Sequence, residues 1–258
     1  MTDRPVVFDT GNLDAAHSNP PHGRRLIVTA DDFGLCDEIN AGVIAAHDCG
    51  IVTSASLMVR WPSATAAARL AATRPLLALG LHVDLGEWTP SGDDWEQRWS
   101  VVDSQDPAAV SGEVARQVQT FRQLTGADPT HIDGHQHIQR DGHPSEALRA
   151  AAAAMRIPVR LHDPRITYCG EFYGQAHRGA SYPEGITVAN LVRIITSLPL
   201  GWTELGCHPG IAVPRTLTSY AAERDVELDA LCSPEVLAAI DQSEVTLASF
   251  AHLVGQLR

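Results

Sequence analysis

Short apolar segments of strand type alternate with segments of helical periodicity along most of this chain. Residues 26–29 are apolar and β-branched, as in buried strands, and residues 37–49 carry apolar side chains at helical spacing. Further strands are predicted at 54–59, 77–83, 131–133, 159–161 and 202–207, and further helices at 63–72, 107–126, 144–155, 187–198, 219–230, 234–240 and 246–257. This order predicts parallel strands joined by right-handed crossovers. We therefore expect an α/β fold, an irregular (β/α) barrel.

The chain divides into a short polar start and one long folded region. Residues 1–24 are polar and rich in turn-forming residues, which predicts an extension outside the fold. Residues 25–258 are predicted to form a single barrel domain, since about 200–250 residues suit such a fold. Two segments, 84–107 and 163–185, are predicted to be long loops, and loops of that length are often functional.

Composition excludes several kinds of function. With 31 acidic and 19 basic residues the net charge is −12, which argues against nucleic acid or an anionic membrane as partner. All 19 basic residues are arginine, so lysine Schiff-base chemistry, pyridoxal phosphate and a Walker A loop are excluded. The five cysteines are odd in number and lack Cys-x-x-Cys spacing. Without a signal peptide or membrane span in view, these features predict a cytoplasmic protein.

Titratable residues gather where four predicted strands end. Asp31 and Asp32 follow the first strand, His82 the third, His135 and His137 the fourth, and His208 the sixth. In parallel α/β folds the carboxyl ends of the strands meet on one face, which carries the site. Two imidazoles and a carboxylate can hold a divalent cation, while a second carboxylate and a further imidazole can move protons. The pattern indicates a hydrolytic metal site.

The motifs around these residues resemble one family. They are Thr29-Ala30-Asp31-Asp32-Phe33-Gly34-Leu35, Gly50-Ile51-Val52-Thr53-Ser54, Gly80-Leu81-His82-Val83-Asp84-Leu85, Thr130-His131-Ile132-Asp133-Gly134-His135-Gln136-His137, Phe172-Tyr173-Gly174-Gln175, Glu204-Leu205-Gly206-Cys207-His208-Pro209-Gly210 and Glu223-Arg224-Asp225-Val226-Glu227-Leu228. Together they resemble the YdjC-like carbohydrate deacetylases, which include chitooligosaccharide and hopanoid-biosynthesis deacetylases. The similarity runs from about residue 25 to residue 257.

The resemblance implies a deformed barrel that removes acetyl groups from N-acetylated amino sugars with one divalent metal ion. Matched by position, Asp32, His82 and His135 are the metal ligands, Asp31 is the general base and His208 is the acid. The family is usually described with Mg, whereas imidazole ligands favour Zn, so both ions stay open. A homodimer is implied only by the resemblance.

Other residues have two readings each. Asp133 either orients a ligand imidazole or packs at its strand end. His137 either contacts substrate or supports the site, and Tyr173 and Gln175 are candidates for sugar contacts. Trp88, Trp95 and Trp99 lie in segment 84–107, which is either a substrate lid or a local apolar cluster. Arg60 either pairs with an acidic residue at the site or lies on the surface.

One position departs from the family pattern. Many members carry a third histidine where this chain has Gln139, so substrate specificity is expected to differ while the metal ligands are unaffected.

The chemistry of the adjacent carboxylates gives one more expectation. Asp31 and Asp32 repel each other when both are ionised, and a cation relieves this repulsion, so Asp31 is predicted to act as base only with metal bound.

Two alternatives remain at this stage. A metal-dependent phosphoesterase is disfavoured because few arginines lie near the four motifs, and phosphate needs cationic partners. A non-catalytic sugar-binding relative is disfavoured because base, metal ligands and acid are all retained.

Overall fold

The computed structural model describes residues 23–91, 94–140, 142–176 and 179–255. Within them the strands are β1 (Arg24–Phe33), β2 (Ser54–Leu57), β3 (Ala78–Val83), β4 (Gly86–Ser91), β5 (Asp94–Ser100), β6 (Ile132–Gly134), β7 (Ile166–Cys169), β8 (Gly201–Cys207) and β9 (Val245–Ala248). The helices are α1 (Asp37–Asp48), α2 (Ala64–Ala72), α3 (Pro107–Thr125), α4 (Gly142–Met155), α5 (Val188–Thr196), α6 (Ala222–Leu231), α7 (Pro234–Gln242) and α8 (Phe250–Gly255). Residues 1–22 of the predicted extension lie outside the described residues. None of the described helices is long and apolar enough to cross a bilayer.

Parallel strands form the main sheet, in the order β6-β3-β2-β1-β8-β7. The central strand β1 is almost wholly buried and pairs along most of its length with β8. On its other side, β9 pairs with its first residues, Arg24 to Ile27, and β2 pairs from Thr29 onward. Strand β1, at the start of the domain, thus pairs with three other strands, one early in the chain (β2) and two late in the chain (β8 and β9).

The sheet curls on itself, as the reach of one buried side chain demonstrates. Strands β6 and β8 are four positions apart in the sheet, which would separate them by roughly 19 Å if the sheet were flat. The Arg160 guanidinium nevertheless contacts Asp133 on β6 and Glu204 on β8, at 2.9 and 2.8 Å. Beyond β6, Val159 adds a single parallel bridge to Ile132. The predicted irregular (β/α) barrel is therefore confirmed.

Helix α3 begins and ends where its sequence indicates. The Asp106 side chain accepts hydrogen bonds from the backbone N–H groups of Ala108 and Ala109, and Pro107 occupies the first turn. Gly126 ends the helix with a φ of 75°, a conformation that glycine adopts without strain. At the start of helix α2, the Ser63 side chain makes no capping hydrogen bond with the helix and instead donates to Asp37 at 2.6 Å.

The segment 84–107 is not an irregular loop. Strands β4 and β5 pair antiparallel and form a hairpin of their own, separate from the main sheet. Alternating side chains such as Trp95, Gln97 and Trp99, next to the turn-forming residues 90–93, are the local signal for this hairpin.

Two other predictions were wrong in the type of element. The segment 163–185 contains strand β7 and a 3₁₀ turn at Pro183–Ile186, and β7 extends the main sheet beside β8. The segment 246–257 begins as strand β9 before it turns into α8. Both strands are four residues long and begin with two β-branched residues, which is too short for a clear alternation, and their pairing with long neighbours decides their conformation.

Candidate metal centre and active site

Two adjacent carboxylates enter the same site because strand β1 is irregular where they lie. Neighbouring residues of a regular strand point to opposite faces of the sheet. Here the register of β1 against β2 shifts between Ala30 and Phe33, and Asp32 has a φ of 62°, in the left-handed region. Asp31 and Asp32 consequently both line one buried cavity. Such backbone conformations in residues other than glycine are costly and gather at functional sites.

Asp32, His82 and His135 form a compact group of potential ligands. Asp32 Oδ1 lies 3.4 Å from His82 Nε2 and 3.1 Å from His135 Nδ1. One donor atom from each residue lies within 4.8 Å of the others, close enough to share a cation. Side chains on three separate strand ends therefore meet as the sequence predicted.

Each imidazole of the group has a carboxylate on its other ring nitrogen. His82 Nδ1 is 2.8 Å from Asp133 Oδ1, and His135 Nε2 is 2.8 Å from Glu87 Oε2. Burial opposes protonation of His135, but Asp32 and Glu87 together raise its pKa to about 9. A carboxylate in this position fixes the tautomer of a metal-binding histidine and leaves its other nitrogen free for the ion.

Arg160 holds three carboxylates beneath the site. Its guanidinium contacts Asp31 through two nitrogens, at 2.6 and 2.8 Å, and also reaches Asp133 and Glu204. Burial favours the neutral form of Asp31, but the charge and hydrogen bond of Arg160 together with the charge of His82 oppose it, and the pKa of Asp31 is lowered. Burial and the neighbouring carboxylates raise the pKa of Glu204 to about 7, against the opposing effect of Arg160.

Asp32 has an arginine of its own. Arg224 Nη2 contacts Asp32 Oδ2 at 2.5 Å, on the oxygen that faces away from the imidazoles. Burial works against ionisation of Asp32, yet Arg224 and the two histidines lower its pKa well below the ordinary range. The negative charges of the two adjacent aspartates are thus balanced by two different arginines. This removes the reason for expecting that Asp31 is ionised only when metal is bound.

His208 lies across the cavity from the imidazole pair. Its Nε2 is 3.8 Å from Asp31 Oδ2, and its backbone N–H donates to Glu227 Oε2 at 2.5 Å. The Tyr220 hydroxyl donates to the other oxygen of the buried Glu227. His208 Nδ1 is buried without a hydrogen-bond partner among the described residues, 3.8 Å from Glu227 Oε1.

The cavity holds the predicted ligands, base and acid together. Asp31, Asp32, His82, His135 and His208 line about 310 Å³, and His137 and Tyr173 form part of its wall. Burial, followed by the charge of Arg160, lowers the pKa of His137 to about 4, so its ring is neutral at pH 7.

Three other predicted residues contact neighbours outside this cavity. Trp88 lines a separate opening. The Gln175 amide donates to Glu223 at 3.2 Å. Arg60 pairs with Asp84 at 3.0 Å and not with the ligand group. The Trp95 side chain lies outside the described part of the chain.

The β4–β5 hairpin is fixed to the barrel at two places. Gln136 donates to the Trp88 carbonyl at 2.8 Å and accepts from the Trp88 N–H at 3.0 Å. Trp99 packs edge-on against Trp61, with ring centroids 6.0 Å apart, and both line a second cavity of about 370 Å³ that shares Asp32 with the first. These contacts make the hairpin a fixed wall between two cavities.

Gln139 lies away from the ligands. It is fully buried, and its amide nitrogen is 3.3 Å from His137 Nδ1. Among the described residues that line the cavity, His137 is the one whose side chain Gln139 contacts by a hydrogen bond.

Sequence reasoning assigned no role to Arg160, Arg224, Glu204, Glu227 and Glu87. Glu204 carried a usable signal, because a charged residue inside a buried strand needs a partner. Arg224 and Glu227, three residues apart, share a face of α6 and also offered a signal. Few arginines lie near the motifs in sequence, but two of them, Arg160 and Arg224, lie beside the site in space. Both already form ion pairs with carboxylates of the protein.

Comparisons with known proteins agree with this geometry. A model described as YdjC-like protein matches residues 25–242. A carbohydrate deacetylase of Geobacillus stearothermophilus is 30% identical over 243 residues, covering 88% of this chain and 97% of that protein. A chitooligosaccharide deacetylase of Serratia marcescens is 32% identical over 252 residues, covering 89% and 99%.

The fold agrees with a solved structure as well. A crystal structure from Enterococcus faecalis V583, of a protein named for a proposed role in cellobiose-phosphate cleavage, has a TM-score of 0.72 at 22% identity, covering 90% of this chain and 99% of that one. With most of its length matched by the family model and its strand-end motifs gathered in one cavity, the chain belongs to the YdjC-like protein family.

Proposed function

We propose that this protein is a metal-dependent hydrolase that removes the acetyl group from an N-acetylated amino sugar. The observation that carries the proposal is the meeting of Asp32, His82 and His135 in one cavity with Asp31 and His208. The names of the deacetylase relatives support the same reaction class. The bond broken is the amide C–N bond, and the products are acetate and a free amine.

The three potential ligands suit a divalent ion. They offer one carboxylate oxygen and two imidazole nitrogens, and each imidazole has its other nitrogen engaged by a carboxylate. This donor set favours Zn²⁺ over Mg²⁺, although Mg²⁺ also accepts such carboxylates. The ion would supply Lewis acidity, which polarises the acetyl carbonyl and acidifies water.

Asp31 is proposed to take the proton from the attacking water. Arg160 lowers the pKa of Asp31 against the effect of burial, so the carboxylate is ionised at neutral pH and free to accept that proton. The same guanidinium binds both oxygens and fixes the direction in which the carboxylate faces. Arg160 thus orients the base.

His208 is proposed to deliver a proton to the departing amine. Its Nε2 faces Asp31 across the cavity, at 3.8 Å from the nearer oxygen. When protonated, the ring would have Glu227 beside its second nitrogen. Proton transfer by a positioned group of this kind contributes about 10²–10⁴ in rate.

Aromatic side chains of the wall are proposed to hold the sugar. Tyr173 stacks on Tyr220 with centroids 4.6 Å apart and contacts the His208 ring at 5.4 Å. Flat faces of this kind suit the apolar faces of sugar rings. His137 lies on the same cavity wall and is proposed to contact substrate. The cytoplasmic location and the homodimer stay predictions.

Acetate release from a panel of N-acetylated amino sugars tests the proposal. Activity is expected to disappear with a chelator and to return with Zn²⁺ or Mg²⁺. If metal-loaded protein releases no acetate from any of these sugars, the proposed function is wrong.

The role of Asp31 is tested separately. Asp31→Asn is expected to lower kcat by about 10²–10⁴ and to retain metal binding, since Asp31 is not among the proposed ligands. Asp48→Asn removes a surface carboxylate as the control. Full activity of Asp31→Asn would assign the base to another residue.

A further inference from the structure

The β4–β5 hairpin contributes a carboxylate that touches the proposed metal centre. Glu87 Oε2 lies 2.8 Å from His135 Nε2, while His135 Nδ1 lies 3.1 Å from Asp32 Oδ1. The two nitrogens of this ring therefore have different tasks. One faces the group of ligands and the other faces the hairpin.

The second imidazole of the centre provides an internal comparison. His82 has Nε2 toward Asp32 and Nδ1 toward Asp133, so each histidine lies between Asp32 and a further carboxylate. Asp133 is fully buried in the barrel and belongs to a strand of the main sheet. The Glu87 side chain is 26% exposed and belongs to an inserted element. Each histidine therefore has a carboxylate on its second nitrogen, but one carboxylate comes from the main sheet and the other from the hairpin.

The hairpin holds Glu87 in place through its neighbours. Gln136, the residue after His135, makes both hydrogen bonds with the backbone of Trp88, the residue after Glu87. Its amide nitrogen also approaches Glu87 Oε1 at 3.3 Å. On the paired strand, Trp99 lies opposite Glu87 and packs against Trp61. Contacts on both sides thus fix the distance between Glu87 and His135.

From these contacts we propose that Glu87 is a positioning residue for the metal centre. Its carboxylate accepts the Nε2–H of His135 and so leaves Nδ1, on the side of Asp32, to bind the cation. The proposal rests on the metal site of the proposed function. The hairpin would then support the metal centre as well as line the cavity. Losing such a partner typically weakens metal binding 10- to 100-fold.

The affinity for Zn²⁺ alone, measured by competition with a chromophoric chelator, tests the proposal without any substrate. Glu87→Ala is expected to bind Zn²⁺ about 10- to 100-fold more weakly than the wild type. Glu87→Gln keeps an oxygen that accepts the Nε2–H, so its affinity is expected to stay within about fivefold of the wild type. Glu96→Ala removes an exposed carboxylate from the same hairpin and controls for the change in charge.

Two results would overturn the proposal. If Glu87→Ala binds Zn²⁺ as tightly as Glu96→Ala, His135 needs no partner from the hairpin. If Glu87→Gln is as weak as Glu87→Ala, the negative charge matters and not the accepted hydrogen bond. Circular dichroism and thermal unfolding of the metal-free proteins check that each variant is folded.

The proposed function can fail independently of this inference. Wild-type protein that binds Zn²⁺ but releases no acetate would contradict the deacetylase, while the affinities of the Glu87 variants would still decide the positioning role.

Discussion

Two arginine–aspartate pairs in this molecule have the same two contact distances and opposite surroundings. Arg160 binds both oxygens of Asp31 at 2.6 and 2.8 Å, inside the barrel. Arg74 binds both oxygens of Asp48 at 2.6 and 2.8 Å, on the surface. The Arg160 side chain has no exposed area and Asp31 is 6% exposed, whereas Arg74 and Asp48 are 23% and 43% exposed. The geometry of an ion pair therefore does not determine its role.

The surroundings decide what each pair contributes. For Asp48 the hydrogen bond from Arg74 is the largest cause of its lowered pKa, and solvent screens the pair. For Asp31 burial has the largest effect on the pKa and opposes ionisation, and Arg160 is the main group that offsets it. The surface pair adds little to folding, while the buried pair keeps a carboxylate, the proposed base, charged inside the barrel.

The largest effect on stability is expected when the buried cation is removed. Arg160→Met leaves Asp31, Asp133 and Glu204 buried together without their counter-charge. The free energy of unfolding in urea is expected to fall by about 3–5 kcal/mol in metal-free protein at pH 7. A loss below about 1 kcal/mol would mean that the carboxylates take up protons at little cost.

A smaller effect is expected from the carboxyl group that shares Arg160. Burial and nearby carboxylates raise the pKa of Glu204 from 4.5 to about 7. Between pH 4.5 and 7 the folded protein keeps this proton while the unfolded chain releases it, so its stabilising effect, full below pH 4.5, is lost as pH rises through 7. Glu204→Gln carries no such proton. The stability of the wild type is expected to fall relative to Glu204→Gln by on the order of 2 kcal/mol.

Urea unfolding of both metal-free proteins at pH 4.5 and pH 7.5 measures this difference. Parallel pH dependence of the two proteins would show that Glu204 is ionised throughout, with Arg160 alone as its partner.

The smallest effect is expected on the surface. Arg74→Met should lower the free energy of unfolding by less than about 1 kcal/mol, and less again in 1 M salt, because exposed pairs are screened. The same urea titration measures it beside Arg160→Met. A loss above about 2 kcal/mol would mean that matched geometry outweighs burial, contrary to the comparison.

The sequence predicted those parts of the site that follow from strand periodicity. Asp31, Asp32, His82 and His135 were found because each comes at or just after the end of an apolar run, and parallel strands bring such positions together. His208 followed from the same rule. The order of the strands in the sheet did not follow from any local pattern, because it depends on pairing between distant segments such as β1 with β9.

The missed residues show the limit of local patterns. Arg160 lies within the strand predicted at 159–161, of which the structure forms only a single bridge at Val159, and nothing near Arg160 in sequence indicates that it faces three carboxylates. Glu87 was missed because its segment was taken for a loop, although the alternation in β5 predicts a hairpin. Charge partners are set by the curl of the sheet, which places side chains far apart in sequence around one point.

Arg160 also links the order of folding to the completion of the base. Its partners Asp31 and Glu204 are 129 and 44 residues away along the chain. Contacts between such distant residues form late, because the intervening chain must first be ordered. A nascent chain that ends before β8 contains Asp31 and the two histidines proposed as ligands but lacks one of the three carboxylates that surround Arg160. We therefore expect the surroundings of Arg160, which orients the proposed base, to be complete only after the second half of the barrel has joined the first.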